Sequence, residues 1–390
     1  MNGTIYMPVG EVCSSISDTY REKKNMVTLI NTSDVLEGRV LNHERVPNSN
    51  LKGQFKKTFQ RDDILYSEIR PQNRRFAYVD FSPIDYIAST KLMVIRAKKD
   101  VVSPKYLYYF LKNSSTVAEL QLLAETRSGT FPQITFSEVA NLTIPVPSLA
   151  VQEVIVQTMQ CLEDKITCNE QINDNLYEIV NAYYTSLFKD VECEMTTIGN
   201  YAERIYSGGT PTTSNAAYWD GTFGWFSSGE TRNRFVISTE KSITQTGIDN
   251  SSTKLASKHD IVMASAGQGF TRGQTSMLLI DTYVNQSVIV IHADRNILPY
   301  LFWNLANRYE ELRAISDSSS IRGSLTTKMI AAFEIPCANN DVIQTFSGFA
   351  WAVIPQIENN LLENERLAAL RDSLLPKLMT GEIDVSTIQL

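Results

Sequence analysis

The sequence of this chain repeats itself, and the repeat constrains the fold more than any other feature. The segment YLYYFLKN at 106–113 returns as YLFWNLAN at 300–307. The segment ITFSEVANLTIP at 134–145 returns as LTTKMIAAFEIP at 325–336. Both pairs occur in the same order and at nearly the same separation. We therefore expect two copies of one structural module.

Two shorter matches support the repeat. The triplet DIL at 63–65 corresponds to DIV at 260–262, and NTSD at 31–34 corresponds to SSGE at 227–230. Two short matches could arise by chance, but four in the same order are not explained that way.

Each copy contains a mixed part followed by a helical part. The runs LMVI at 92–95 and VIVI at 288–291 are apolar and bounded by turn residues, which predicts strands. After each mixed part, seam residues recur in steps of four and three over about four heptads, which predicts a long helix. The first seam consists of Ile155, Met159, Leu162, Ile166, Asn169, Asn173, Leu176, Val180, Tyr183 and Leu187. The second consists of Phe346, Ala350, Val353, Ile357, Asn360, Asn364, Leu367, Arg371, Leu374 and Leu378.

Two asparagines lie in the middle of each seam. Asparagine in an apolar seam lowers stability but fixes register and orientation. If the helices pack antiparallel, the centres of the two seams lie side by side, and Asn169 and Asn173 can form hydrogen bonds with Asn360 and Asn364. The alternative is that each helix packs only on its own domain.

The resulting fold class is α+β, with two mixed α/β domains separated by two long helices that pack as an antiparallel coiled coil with pseudo-two-fold symmetry. Pro355 and Pro376 lie inside the second helix, where proline predicts kinks or breaks. The expected divisions are a first domain at 1–149, a first helix at 150–189, a second domain at 190–338, and a second helix with a tail at 339–390.

The net charge of −7 disfavours a nucleic-acid partner until its distribution is considered. Residues 151–194 carry nine acidic and two basic side chains, and residues 338–390 carry seven and three. Residues 39–75, in contrast, carry nine basic and four acidic side chains. The basic stretch is either a nucleic-acid contact or an ordinary solvated face.

Length and composition indicate a folded protein of two to three domains. The 390 residues contain no run of about 18 apolar residues and no recognisable secretion signal, so no membrane span is expected. The five cysteines form no CxxC pair, and with three histidines they make a poor zinc site. An odd number of scattered cysteines fits reduced thiols in a cytoplasm.

No catalytic motif is recognisable in the sequence. Gly267, Gly269 and Gly273 follow a predicted strand, IVMAS, but a phosphate loop would open a helix. The residues TSMLLI that follow predict another strand, so a glycine-rich hairpin or loop is favoured. GxSxG, a Walker lysine loop and HExxH are absent from the sequence.

A stretch rich in glycine and aromatic residues, SGGTPTTSNAAYWDGTFGWFSSG, occupies 207–229. It is too rich in glycine for a helix and too aromatic for a linker. We expect it to form the folded entrance of the second domain, with Gly208 and Gly209 permitting an unusual turn and Pro211 stiffening it. Four aromatic residues are expected to anchor this entrance to the core, namely Tyr218, Trp219, Trp225 and Phe226.

Three segments carry a family resemblance. SGGTPTTSNAAYWDGTFGWFSSGE at 207–230 resembles the start of a target-recognition domain in specificity subunits of type I restriction–modification systems. SGTFPQITFSEVANLTIPVPSLAVQ at 128–152 resembles the end of such a domain, and LRDSLLPKLMTGEIDV at 370–385 resembles the family's C-terminal ending. The first half departs from the family at 18–38, where DTYREKKNMVTLINTSDVLEG replaces the GGTP…YW signature.

The resemblance implies a function without catalysis by this chain. Each domain of such a subunit reads one half of a split, asymmetric double-stranded DNA site. The helices set the gap and dock two methyltransferase subunits, which use S-adenosylmethionine to methylate adenine. A restriction subunit, which uses ATP and Mg, translocates and cleaves DNA. This chain is then expected to bind no cofactor and no metal itself.

The residues expected to contact DNA are basic or amide side chains near predicted strands and loops, because base edges are read by such groups and phosphates are held by cations. They are Lys52, Lys56, Lys57, Arg61, Arg70, Arg74 and Arg75 in the first domain, and Arg232, Arg234, Gln268, Arg272 and Gln274 in the second. For each, the alternative is an exposed surface group. Two other functions stay open, a fused restriction–methylation enzyme and a scaffold that does not bind DNA.

Overall fold

The computed structural model describes residues 4–22, 24–49, 53–127, 130–188, 194–266, 271–318 and 323–384. The chain forms two compact units. The first consists of Met1–Ile166 with Arg366–Leu390, and the second of Thr167–Glu365. Each unit is therefore built from a mixed segment and parts of two long helices.

The first unit contains the mixed part of the first repeat. Its helices are α1 (Val9–Val12), α2 (Pro104–Lys112), α3 (Ser114–Arg127), α4 (Phe136–Asn141) and the first part of α5 (Leu149–Phe188). Its strands are β1 (Ile5–Pro8), β2 (Cys13–Ile16), β3 (Met26–Ile30), β4 (Val35–Leu36), β5 (Arg39–Val40), β6 (Val46–Pro47), β7 (Phe55–Lys57), β8 (Ile64–Ser67), β9 (Phe76–Tyr78), β10 (Tyr86–Ser89), β11 (Leu92–Ala97) and β12 (Thr143–Val146).

The second unit contains the mixed part of the second repeat. Its strands are β13 (Met195–Thr197), β14 (Ala202–Ser207), β15 (Trp219–Phe226), β16 (Phe235–Val236), β17 (Lys241–Ile243), β18 (Lys254–Ala256), β19 (Ile261–Ala264), β20 (Thr275–Leu278), β21 (Thr282–Val284), β22 (Val288–Ala293) and β23 (Glu334–Pro336). Its helices are α6 (Ile198–Tyr201), α7 (Gln245–Asp249), α8 (Leu298–Asn307), α9 (Tyr309–Ser318), α10 (Thr327–Ala331) and part of α11 (Asn340–Thr380).

Each unit has a central sheet that is buried on both faces and is antiparallel except for the parallel β16–β20 pair of the second unit. In the first unit its strand order is β2-β11-β8-β9, and in the second β22 lies between β14 and β19. Along β11, Met93 and Ile95 pack in one apolar core, while Leu92 and Val94 pack in another. Because successive side chains point to opposite faces, burial of both faces explains the continuous apolar runs in the sequence.

A second four-stranded sheet lies in each unit, with the order β6-β3-β10-β7 in the first and β17-β15-β21-β18 in the second. Two-stranded ribbons, β1-β12 and β13-β23, join the start of each mixed segment to its end. The same architecture therefore occurs twice, which confirms the repeat.

The sequence matches have the same structural role in both units. The hydroxyl of Tyr106 donates to the carbonyl of Pro145 at 2.8 Å, and that of Tyr300 donates to the carbonyl of Pro336 at 2.7 Å. These bonds tie α2 to β12 and α8 to β23. The corresponding segments at 31–34 and 227–230 both form a capping box at the start of a short 3₁₀ turn.

The repeated aspartate closes a turn before a central strand in both units. Asp63 accepts from the backbone amide of Gln60 at 2.8 Å and makes two 2.8 Å contacts with the Arg96 guanidinium. Asp260 accepts from the backbone amide of Ser257 at 2.9 Å and lies 2.6 Å from His292 Nδ1. A buried carboxylate requires such partners, since an unpaired buried charge is strongly destabilising.

The long helices have the predicted positions. Helix α5 covers the first seam and α11 covers the second. Of the kinks or breaks expected at Pro355 and Pro376, a break does not occur, because α11 is continuous from Asn340 to Thr380. Each proline removes one amide donor and so weakens the helix locally. The neighbouring Ile354 and Leu375 are buried, and their packing stabilises the helix at these positions.

The seam asparagines pair as predicted, and all four lie in the second unit. Asn169 Nδ2 donates to Asn364 Oδ1 at 2.8 Å, and Asn360 Nδ2 donates to Asn173 Oδ1 at 2.8 Å. Four residues forward along α5 thus correspond to four residues back along α11, so the helices are antiparallel. In the first unit, Met159 near the start of α5 shares a core with residues near the end of α11.

We predict that Asn173→Leu lowers the free energy of unfolding by about 1–3 kcal/mol, because Asn360 is buried and its Nδ2 loses an acceptor. The double variant Asn173→Leu/Asn360→Leu should recover most of that loss, since it leaves neither amide of the pair unpaired. Urea denaturation of the purified chain measures both values, with Asn359→Leu on the exposed face of α11 as the control. A double variant as unstable as the sum of the single variants would contradict the pairing.

Candidate nucleic-acid interface

In the first unit, the predicted contact residues divide into two groups. Lys56, Arg61 and Arg70 have exposed side chains near the ends of β7 and β8. Lys52 lies outside the described residues. The exposed group provides cations that a phosphate backbone can reach.

Lys57, Arg74 and Arg75 are instead held by the protein. Lys57 Nζ donates to the carbonyl of Leu92 at 2.7 Å and to that of Thr90 at 3.1 Å, and burial lowers the pKa of its ammonium group. Arg74 Nη2 donates to Ser114 Oγ at 2.9 Å, and Arg75 Nη1 donates to the Ser33 carbonyl at 2.9 Å. These three cations stabilise the unit internally, which the sequence did not indicate.

A strained turn follows β8. Arg70 and Arg74 have left-handed backbone conformations, with φ of 43° and 51°, and they flank the short 3₁₀ turn Pro71–Asn73. Positive φ is uncommon for residues other than glycine, and such strain concentrates at functional sites. The turn presents the exposed Arg70 side chain, so it is a candidate part of the interface.

In the second unit, Arg232 and Arg234 follow the glycine-rich and aromatic stretch, and both side chains are exposed. Arg232 forms an ion pair with Glu240. Arg234 is directed towards α5, where its Nη1 lies 3.1 Å from Asp174 Oδ1. The two arginines are two residues apart but contact different parts of the unit.

The strands on either side of the glycine-rich segment pair as expected of a hairpin, and residues 267–270 between them lie outside the described residues. Strands β19 and β20 are antiparallel partners, with Ile261 opposite Met277. At the base of the hairpin, the Gly273 amide donates to the Ala264 carbonyl at 2.9 Å. Gln268 lies outside the described residues, and Gln274 is half-buried at the start of β20.

Arg272 does not have the exposed position that a base-reading side chain requires. Its side chain is 9% exposed, its Nη1 donates to the Gly323 carbonyl at 2.6 Å, and its Nη2 contacts Asp317. The guanidinium therefore ties the hairpin to the segment after α9. In this structure Arg272 supports the hairpin, which is a different role from the one expected of it.

The stretch at 207–229 folds as the entrance of the second mixed part. Trp225 and Phe226 are buried, whereas Tyr218 and Trp219 are half-buried. Trp225 Nε1 donates to the Gly209 carbonyl at 3.3 Å, which fastens the segment to β15.

The expected role of the two glycines in this entrance is corrected by the structure. Neither has a positive φ. A Cβ on Gly208 would lie 1.9 Å from the Val284 carbonyl oxygen, and one on Gly209 would lie 2.1 Å from Ser252 Oγ. Glycine is required because the backbone passes so close to β21 and the loop before β18 that no side chain fits.

Two further cations at this entrance were missed in the sequence analysis. Lys241 and Lys254 lie on β17 and β18, the edge strands of the four-stranded sheet β17-β15-β21-β18, and both are exposed. Their ammonium groups lie 5.6 Å from the ring centres of Trp219 and Tyr206, respectively. Their proximity to aromatic residues in space, rather than in sequence, identifies them as candidates for phosphate contact.

Within the described ranges, histidine, cysteine, aspartate and glutamate side chains form no group of three or more that could hold a metal ion. No helix in this part of the chain is long and apolar enough to cross a membrane.

We predict that Arg272→Ala lowers the free energy of unfolding by about 1.5–3 kcal/mol, because it removes charge-assisted hydrogen bonds from a buried group. Arg232→Ala, an exposed arginine in the same unit, should change it by less than about 1 kcal/mol. Chemical denaturation of both variants makes the comparison. Unchanged stability of Arg272→Ala, together with weaker recognition of one half-site, would restore the base-reading role expected from the sequence.

Comparison with known proteins extends these observations. The model of a family described as "Type I restriction modification DNA specificity domain" matches twice, at residues 6–178 and 191–342. The type I restriction enzyme HindI specificity subunit of Haemophilus influenzae is 27% identical, over 92% of this chain and 94% of that protein. A type I restriction enzyme specificity subunit of Escherichia coli is 26% identical, over 71% of this chain and 68% of that protein.

A solved structure shares the fold. The crystal structure of the type I restriction–modification system S subunit from M. genitalium superposes with a TM-score of 0.56 at 15% identity, covering 99% of this chain and 98% of that one. The two family matches together include most of the residues and coincide with the two structural repeats. The chain therefore belongs to the family of type I restriction modification DNA specificity domain proteins.

Proposed function

We propose that this chain selects the DNA sequence on which a type I restriction–modification complex acts. The observation that carries the proposal is the duplication: two family matches coincide with two structural repeats of the same architecture. Each repeat reads one half of a split DNA site. Because the two repeats differ in sequence, the two half-sites differ as well.

The exposed cations of each unit provide the binding chemistry. Lys56, Arg61 and Arg70 in the first unit, and Lys241 and Lys254 in the second, are candidates for phosphate contacts. Phosphate contacts position a protein on DNA, whereas contacts with base edges select the sequence. Arginine, glutamine and asparagine are the usual major-groove readers, so we assign reading to the β8 turn and to the glycine-rich hairpin.

The long helices set the gap between half-sites and dock two methyltransferase subunits. An α-helix rises about 1.5 Å per residue, so α5 and α11 are long enough to act as spacers. Their sequences are acidic, which suits binding to protein better than binding to DNA. The paired asparagines support this role, because a spacer needs a fixed register.

Chemistry belongs to the partner subunits in this proposal. The methyltransferase subunits use S-adenosylmethionine, and a restriction subunit uses ATP and Mg. The chain itself binds double-stranded DNA and these subunits, and it binds no cofactor. Since the substrate is the DNA of the cell, we place the complex in the cytoplasm.

We predict that the purified chain neither methylates nor cleaves DNA, because its sequence contains no recognisable cofactor loop or catalytic motif. With its methyltransferase subunits it should direct adenine methylation to a single split motif. The measurement is methylome sequencing of a host that contains the methyltransferase with and without this chain. Turnover of S-adenosylmethionine by the chain alone would favour a fused enzyme, and an unchanged methylome with no co-purifying methyltransferase would favour a scaffold.

A further inference from the structure

Arg234 joins the mixed part of the second unit to helix α5. Its Nη1 lies 3.1 Å from Asp174 Oδ1, and its guanidinium carbon lies 4.3 Å from the ring centre of Tyr177. Asp174 and Tyr177 are three residues apart on α5, so one planar group contacts both. We call this set of three residues the Arg234 latch.

The helix side of the latch is rigid. The Tyr177 side chain is 8% exposed and stacks on Trp303 of α8, with ring centres 5.7 Å apart and planes 23° apart. Phe235, the residue after Arg234, belongs to the same apolar cluster. The guanidinium therefore contacts a ring whose own position is fixed by the core.

The backbone of the same residue holds the glycine-rich hairpin. The Arg234 carbonyl accepts from the Met277 amide of β20 at 2.9 Å. The neighbouring Asn233 carbonyl accepts from the Ser276 hydroxyl at 2.6 Å. Strand β20 is the returning strand of that hairpin, so two adjacent carbonyls fix it to the segment that carries the latch.

The latch is a feature of the second unit. The 191-residue offset that relates the two helical seams places Ala368 of α11 at the position equivalent to Tyr177. Alanine offers no ring to a guanidinium. At this point of the repeat, the first unit thus carries an alanine where the second unit carries the aromatic ring of Tyr177.

We propose that Arg234 is a positioning residue that fixes the direction of the glycine-rich hairpin relative to α5, rather than a DNA contact. The inference rests on the proposed function of the hairpin as a DNA reader and of α5 as a spacer. A reader that is fixed to its spacer accepts one gap between half-sites. One base pair changes that gap by about 3.4 Å, so a fixed reader rejects the altered site.

The test uses the complete complex with its methyltransferase subunits and two duplexes, one with the native gap and one with a gap longer by one base pair. We compare Arg234→Ala with Asp174→Ala, which breaks the same contact from the helix side. The Asp174 side chain is 74% exposed, so its replacement leaves the folded core intact. Glu240→Ala is the matched control, because it breaks an exposed ion pair of the same segment, with Arg232, that does not involve the helix.

Arg234→Ala should lower the preference for the native gap by about threefold to tenfold, the range expected for one exposed ion pair together with one cation–π contact. Asp174→Ala, which removes only the ion pair, should lower it by about twofold to fivefold. The bases preferred in each half-site and the salt dependence of binding should stay as in the unmodified complex. Arg234→Lys keeps the charge opposite Asp174 and should recover part of the preference. The double variant should be no worse than Arg234→Ala, because that single change already removes both contacts of the guanidinium.

A DNA contact by Arg234 gives a different pattern. Loss of a phosphate contact lowers the slope of affinity against salt by about one, and loss of a base contact relaxes one half-site position. In either case Asp174→Ala would leave the gap preference unchanged, and that result overturns the inference. Absence of split-site methylation by the unmodified complex would instead contradict the proposed function.

Discussion

The structure depends on hydrogen bonding between amides in an apolar helix seam, where Asn169 and Asn360 are buried. An unpaired buried amide costs about 1–3 kcal/mol, whereas a paired one is satisfied. Two such pairs occur in the second unit, Asn169 with Asn364 and Asn360 with Asn173. Sliding one helix by a turn would separate both pairs at once. Apolar residues make the helices associate, and the asparagines determine how they align.

The repeat places similar modules at corresponding positions of the chain, while their sequences have diverged. The tyrosine hydroxyl bonds to Pro145 and Pro336 and the two closing aspartates are common to both units. Surface groups differ, with a strained arginine turn in the first unit and an aromatic entrance in the second. Shared internal bonds with different surfaces are what two readers of unlike half-sites require.

Periodic and repeated features could be predicted from the sequence. The seam residues predicted both long helices, because a helix follows from spacing along one segment. They also predicted the asparagine pairs, because both seams place two asparagines near the middle. Apolar runs predicted β11, β19 and β22, because a strand buried on both faces is apolar throughout. A break at Pro355 or Pro376 does not occur, because packing of the neighbouring apolar residues overrides the local preference of proline.

The direction of charged side chains could not be predicted in the same way. The sequence identifies Lys57, Arg234 and Arg272 as cations. Whether each side chain is exposed to solvent or contacts another protein group depends on residues that are distant in the chain. Lys57 meets carbonyls of Thr90 and Leu92, and Arg272 meets Gly323. The close backbone approach at Gly208 also depends on a distant strand, so glycine alone suggested a turn instead.

We propose that the paired helices set the gap between two otherwise independent readers. The most direct measurement is the methylated motif of a variant with one heptad inserted between Ile166 and Leu176, which keeps the apolar seam in phase. The insertion adds roughly 10 Å at about 1.5 Å per residue. We expect the bases of both half-sites to stay the same and the gap to lengthen, by up to about three base pairs at 3.4 Å per step. Altered half-site bases with an unchanged gap would contradict the account.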